Sequence, residues 1–317
     1  METQMQAASQ PQATSANKDD RIWVAIVHGS AFLVFFGPII AVILWFTHRK
    51  KSAYVAFQAL QAMVYQSLFF WTWVLLIPLL AIVIMVIMVF VMALLIHDRG
   101  NGFLIGFLPQ LVIWGTMLGT FLVYAGIGLW GAIASLQGHD FRYPFFGDRL
   151  ARHLEYHGVE TVSLPEDKED QVIGAVCHST GILMLWGLAT PIVVWITQHE
   201  RSMFLRFQAL QALIYQAIGL LAYLAFFMLY MVFIFGFMGL IMFTGGSGSS
   251  TPPAWLGIAL LPFLAFICVF MLGGLAYPLL AFMAAVRVLN GHDFHYPILG
   301  NILGNILASK LKPVEAK

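Results

Sequence analysis

From residue 207 to residue 286 the chain runs for 80 residues without a single Asp, Glu, Lys or Arg. Shorter charge-free runs cover 53–96, 102–138 and 171–198. A helix in a soluble core is rarely apolar for more than about 10–14 residues, whereas about 20 residues cross a bilayer. The surfaces of these runs therefore face lipid rather than water. Composition agrees, since 60% of residues are hydrophobic and only 10% charged, against about 25% charged in soluble domains. Lipid offers no partners to an open backbone, so each run has to close its own hydrogen bonds. The fold class that follows is all-α, a polytopic transmembrane helical bundle.

The first 20 residues are polar and rich in Gln, Ala and Ser, the composition of a disordered tail. The apolar run that follows, 22–46, is too long for a signal-peptide core and lacks a small-residue cleavage site, so it reads as a retained span. A formal net charge of +1 gives no bulk attraction for nucleic acid. Cys177 and Cys268 lie inside apolar runs, with neither disulfide nor metal spacing, and read as small buried hydrophobes.

The chain repeats itself. The string Phe57-Gln58-Ala59-Leu60-Gln61-Ala62-Met63-Val64-Tyr65-Gln66 returns 150 residues later as Phe207-Gln208-Ala209-Leu210-Gln211-Ala212-Leu213-Ile214-Tyr215-Gln216. His28 matches His178 at the same offset. Gly138-His139-Asp140-Phe141-Arg142-Tyr143-Pro144 returns 153 residues later as Gly291-His292-Asp293-Phe294-His295-Tyr296-Pro297. Two long strings in the same order, with matched apolar runs between them, mark a duplication. The expected division is a polar tail at 1–20, a first unit at 21–150, an acidic linker at 151–170, a second homologous unit at 171–304 and a tail at 305–317.

Each copy contains three apolar runs, which predicts about six spans. The second run is the ambiguous one. Its 44 residues in copy one would extend for about 65 Å as a helix, roughly twice the hydrocarbon thickness. The Gln-rich string is read as an interfacial prelude to one tilted span. A hairpin turning near Pro78 is the alternative and would give eight spans. Six spans imply inverted copies and eight imply parallel copies. Six spans place 7 Lys and Arg on one side and 9 on the other, whereas eight give 10 against 6, so orientation stays open.

Few polar residues interrupt the runs. Gln58, Gln61 and Tyr65 share one helix face, as do Gln208, Gln211 and Tyr215. They are read as a polar lining or as the contact between the two copies, and their exact recurrence favours pairing over catalysis. His28 and His178 sit in apolar surroundings and need protein partners, so a structural hydrogen-bonding role is expected. No Asp or Glu lies in a run to complete a proton relay. Gly115 and Gly119 form a small-xxx-small pair suited to close helix approach. Arg49, Lys50 and Lys51 form a basic cluster fit for an anionic lipid. His139, Asp140, His292, Asp293 and His295 are too few per copy to argue a metal and read as a helix-ending anchor. His153-x-Glu155-x-His157 lacks the metalloprotease order, in which Glu follows the first His directly. No phosphate loop and no nucleophile constellation is present. The chain is therefore expected to have no catalytic, cofactor-binding or metal residues and no enzyme activity.

The early His28, the pair Pro191 and Trp195, the Gln-rich stretches 58–66 and 208–216, and the Tyr143-Pro144 and Tyr296-Pro297 endings resemble the Tic20-like family, including bacterial DUF4870 proteins, in tandem duplication. The sequence departs from that pattern in carrying Phe-Gln-Ala-Leu-Gln where an acidic or His-containing string is common. The resemblance covers nearly the whole chain. It implies a channel-like or scaffold component of a membrane complex, with protein translocation as its process, and supplies no catalytic residue. The alternative is a small-molecule or lipid transporter without proton-relay carboxylates. Expected partners are membrane lipids and other membrane proteins or a second copy. The expected location is multi-pass in a cell membrane, the inner one if the chain is bacterial.

Overall fold

The computed structural model describes residues 16–95, 102–198, 201–245 and 254–311. Most of the N-terminal polar tail, both connections between long helices and the last six residues lie outside that set. Among the described residues all regular structure is helical. Two compact units divide at residue 169, unit 1 ending with Glu169 and unit 2 beginning with Asp170.

Unit 1 opens with helix α1 (Lys18–Gly29), a 3-10 turn (Ser30–Leu33) and helix α2 (Gly37–His48). The expected first span is therefore not one rod. The chain breaks at Val34, whose φ is 42°, and restarts at Gly37-Pro38, where proline suits the first helical turn because its missing N–H has no partner to lose. The two helices have 12 residues each. Each is about 18 Å long, against about 30 Å of hydrocarbon. Ser52, just past α2, donates its hydroxyl to Asp20 in the first turn of α1 at 2.8 Å, and Trp23 lies 5.0 Å from His48 at the end of α2, so the two form a hairpin whose outer ends meet.

Helix α3 (Ala53–Leu95) continues through Pro78 as one 43-residue helix, so the turn that eight spans require is not there. Its Gln-rich start is buried in the protein, because α1 and α2 pack over it. Helix α4 (Gly102–Leu136) packs on α1 and α3. A short helix, α5 (Gly147–His153), ends the framework.

Unit 2 repeats the plan. Helix α6 (Glu166–Ser179), two 3-10 turns (Thr180–Leu183 and Trp186–Leu188) and helix α7 (Ala189–Gln198) form the second broken hairpin, with Met184 at φ 49° in the place of Val34. The long helices are α8 (Met203–Gly245) and α9 (Ala254–Leu289), followed by α10 (Leu299–Leu311).

Among the described residues four helices are long and apolar enough to cross a membrane, in α3, α4, α8 and α9, which does not confirm the six expected spans. Their outer faces are bare hydrocarbon: Leu79, Phe90, Trp114 and Leu122 in unit 1, and Leu221, Val232 and Phe235 in unit 2. Apolar surface on that scale needs lipid around it. The chain is a multi-pass membrane protein built from two helical units.

Gly115 and Gly119 have open space where a Cβ would be added. They are not the site of close packing within the unit. Replacing both by Ala is expected to leave the thermal stability of the detergent-solubilised protein unchanged or raised by up to about 1 kcal/mol, as for Gly to Ala in a helix interior. A differential-scanning measurement checks this.

Candidate functional site: a buried polar knot in each unit

The polar residues singled out by the repeat converge in each unit on one buried cluster. In unit 1, α1 supplies His28, α3 supplies Gln58, Gln61 and Tyr65, and the segment after α4 supplies Asp140, Phe141 and Tyr143. His28, Gln58 and Gln61 are fully buried. The His28 ring meets Gln58 Oε1 through Nε2 at 3.0 Å and the Tyr143 hydroxyl through Nδ1 at 2.9 Å. Gln58 Nε2 donates to Asp140 at 2.8 Å and to the Phe141 carbonyl at 3.0 Å. Gln61 Nε2 donates to Gln58 Oε1 at 2.9 Å and to the Phe141 carbonyl at 3.1 Å, and its Oε1 accepts the Tyr143 N–H at 3.0 Å. Tyr65 stacks on Tyr143 at 3.9 Å and donates its hydroxyl to the Tyr124 carbonyl at 2.8 Å.

Unit 2 rebuilds the cluster bond for bond. His178 meets Gln208 Oε1 at 2.9 Å and the Tyr296 hydroxyl at 3.1 Å. Gln208 Nε2 donates to Asp293 at 2.6 Å. Gln211 Nε2 donates to the Phe294 carbonyl at 2.9 Å, and its Oε1 accepts the Tyr296 N–H at 2.9 Å. Tyr215 stacks on Tyr296 at 3.8 Å and donates to the Tyr277 carbonyl at 3.0 Å. All of these amide partners lie in the amide's own unit. The bonds occupy both ends of each of the four side-chain amides.

The pattern fixes the histidine state. Gln58 Oε1 can only accept, so His28 Nε2 carries the proton and Nδ1 accepts from the Tyr143 hydroxyl. The same holds for His178, Gln208 and Tyr296. Both rings are neutral. Burial holds each imidazole down at about 4, and the glutamine hydrogen bond opposes that only in part. The unfolded chain takes up these protons near pH 6.5. The contribution to stability is therefore complete above that value and lost as the pH falls toward 4. A pH series of thermal midpoints in detergent is expected to slope downward across this window. The His28→Gln/His178→Gln variant is expected to give a flatter profile, and an unchanged slope would rule the histidines out as the cause.

A second device closes each hairpin turn. Ser30 Oγ donates to the Val27 carbonyl at 2.6 Å and approaches the Gly37 carbonyl at 3.4 Å, while Gln66 Nε2 donates to Ser30 Oγ at 3.0 Å. In unit 2, Thr180 Oγ1 meets the carbonyls of Cys177 and Gly187, and Gln216 Nε2 donates to the Cys177 carbonyl at 2.6 Å. Gly37 and Gly187 allow this approach, because a Cβ on Gly187 would sit 2.1 Å from the Thr180 carbonyl oxygen. Sequence reasoning passed over Ser30, Gly37, Gln66, Tyr124 and their counterparts. The signal was present, since each pair keeps its residue type or hydrogen-bonding character at offset 150 or 153.

The two knots differ at their rims. In unit 1, Arg142 pairs with Asp140 and lies 4.8 Å from the Phe57 ring, which stacks on Tyr156 at 4.0 Å. In unit 2, His295 pairs with Asp293 beside Phe207. Among the described residues no three His, Cys, Asp or Glu side chains gather as a metal site. Arg49, read as a lipid contact, instead pairs with Glu169 at 2.5 Å, and Cys268 is exposed rather than buried.

One open cavity of about 540 Å³ at the start of α1 is bordered by Asn17, Lys18 and Arg21, and two others are apolar. One of about 520 Å³ in unit 1 is bordered by Leu68, Phe69, Val123 and Ile127, and a smaller one of about 170 Å³ in unit 2 by Leu220, Phe226 and Phe270. Apart from tyrosine hydroxyls, neither has an ionisable side chain on its wall.

The sequence model of the magnetosome magnetite crystal formation protein family, MamF/MmsF, matches residues 19–150 and again 169–303. The chain belongs to this family. It is a tandem MamF/MmsF protein, with one family unit in each half. That finding corrects the resemblance to Tic20-like and DUF4870 proteins. The early histidine, the Gln-rich string and the Tyr-Pro ending that carried the resemblance are parts of the knot. No curated protein and no solved structure matches the chain.

Proposed function

We propose that this MamF/MmsF protein is a non-catalytic structural component of the magnetosome membrane that acts in magnetite crystal formation. The observation that carries this reading is the knot itself. Its amides, imidazoles and tyrosine hydroxyls are committed to one another and to backbone, and the open cavities beside it carry no acid–base pair. Such an arrangement fixes helix positions and holds nothing ready for a substrate. The protein-translocation role goes with the family resemblance that suggested it. The four long helices are proposed as the membrane spans, two in each unit.

The test is complementation in a magnetite-forming cell from which the gene has been removed. Restored crystal size with the wild type, measured by electron microscopy, and partial restoration with Gln58→Leu/Gln208→Leu are expected. Full crystal size without the gene would overturn the role in crystal formation. Solute uptake by the purified protein in proteoliposomes would instead establish the transporter alternative.

A further inference from the structure

We infer that each broken hairpin is a re-entrant wedge that enters one leaflet only, from the basic side of the membrane, and that the protein consequently prefers membranes whose basic-side leaflet is convex. Three observations lead there.

The first is length. Helices α1 and α2, of 12 residues each, reach about 18 Å, roughly half of a bilayer's hydrocarbon and headgroup thickness. Their outer ends meet where Ser52 donates to Asp20, so the chain leaves on the side where it entered. The turn between them is apolar and uncovered, with Phe32, Leu33, Phe35 and Phe36 exposed. In unit 2 Met184, Leu185 and Trp186 are exposed at the same place. Irregular backbone survives at membrane depth only when its polar groups find protein partners. Ser30 and Gln66, and Thr180 and Gln216, supply those partners.

The second is charge. With two spans per unit, only the connections at 96–101 and 246–253 lie on the far side. Of the 16 Lys and Arg in the chain, Arg99 alone falls in them. Six spans split the same residues almost evenly. The positive-inside rule thus becomes decisive once the hairpins are taken as re-entrant, and it assigns their entry side to the cytoplasm.

The third is a pair of exposed apolar side chains at the base of each unit. Phe145 is 96% exposed at φ 71°, and Ile298, its counterpart 153 residues on, is 76% exposed at φ 67°. A β-branched residue rarely adopts that conformation. Both follow the Tyr-Pro turn that leads from the knot, on the basic side. They add apolar volume to the same leaflet as the hairpin. Volume inserted in one leaflet and not in the other is accommodated best where the inserted leaflet bends outward, which is why one-sided insertion is curvature-sensitive.

Two measurements on the full chain test this. Single cysteines (Ser9→Cys, Lys50→Cys, Ser163→Cys or Ser249→Cys, each in a Cys177→Ala/Cys268→Ala background) are labelled with an impermeant maleimide in right-side-out and inside-out vesicles of cytoplasmic membrane. Positions 9, 50 and 163 are expected to react from one side and 249 from the other. Labelling of positions 9 and 50 from opposite sides would make the hairpin a span and overturn the inference. Separately, the fluorescent protein is reconstituted in phosphatidylethanolamine–phosphatidylglycerol vesicles of mixed diameter, and only molecules with the basic side outward, identified by impermeant quenching, are counted. Their density per lipid is expected to rise severalfold from the largest to the smallest vesicles. That rise is expected to flatten when Leu33, Phe35, Leu185 and Trp186 are replaced by Ser, with the fold checked by the unchanged thermal midpoint. A density independent of diameter in the wild type would overturn the wedge.

Discussion

Gln58→Leu is expected to destabilise the first unit by about 3–5 kcal/mol, more than a typical core truncation of one or two methylene groups. Leucine fills nearly the same space, so the loss is polar. The substitution leaves His28 Nε2–H without an acceptor and removes one acceptor from Gln61 and one donor from Asp140. Each buried polar group left unsatisfied costs about 1–3 kcal/mol, whereas the hydrogen bond it formed contributed only about 1 kcal/mol net. The cost to Asp140 is the smallest, because Arg142 and Tyr156 still reach it. A double-mutant cycle makes the claim specific. His28→Leu removes the stranded donor, so Gln58→Leu is expected to cost less in its presence, with a coupling of about 1–3 kcal/mol. Additive effects, read from thermal or denaturant unfolding in detergent, would show that the two side chains do not act as a unit. Gln208→Leu and His178→Leu are expected to behave alike in unit 2, because the distances there differ by only a few tenths of an ångström.

The membrane character, the helical class and the duplication were all legible in the amino-acid sequence. Charge-free runs and aligned strings report them directly. The break in the first apolar run was not. Hydropathy registers 22–46 as one continuous apolar run, because a broken hairpin of two short helices has the same composition as one long helix. What distinguishes the two is the backbone at Val34 and Gly37, and a φ of 42° at a valine leaves no trace in composition. The Gln-rich face was recognised as one face of one helix, but its partners sit 30 and 80 or more residues away. Sequence spacing along a helix shows which residues point together and is silent on what they meet. The third glutamine, Gln66, follows the same logic. It falls on another part of the α3 surface from Gln58 and Gln61, and its role appears only once the hairpin turn is laid against α3. Recurrence at a fixed offset was the strongest guide available. Read at every polar and glycine position, and not only in the two longest strings, it would have delivered both devices.

Arg49→Leu is the other substitution with a large expected effect, about 3–5 kcal/mol of lost stability in unit 1. Arg49 and Glu169 are 5% and 3% exposed, and the Glu169 carboxylate also accepts from Trp45 Nε1 at 3.1 Å. The guanidinium lies 5.1 Å from the Trp45 ring and also reaches the exposed Glu166 at 3.6 Å, so cation, ring and the buried Glu169 carboxylate form one group with Glu166 at its edge. Removing the arginine takes the guanidinium away from a carboxylate that is out of water, and breaking a buried pair costs far more than breaking an exposed one. Taking out both charges removes most of that cost. Arg49→Leu/Glu169→Leu is expected to be more stable than Arg49→Leu alone, because apolar replacement of a whole buried pair is close to neutral while breaking it is not. The contact ties the end of the first hairpin to the end of the acidic segment, so its loss has a local signature as well. Limited proteolysis between residues 155 and 168 is expected to accelerate in the single variant and to return toward the wild-type rate in the double variant. Equal destabilisation in both would mean that Glu169 is held by Trp45 and solvent and that the ion pair contributes little.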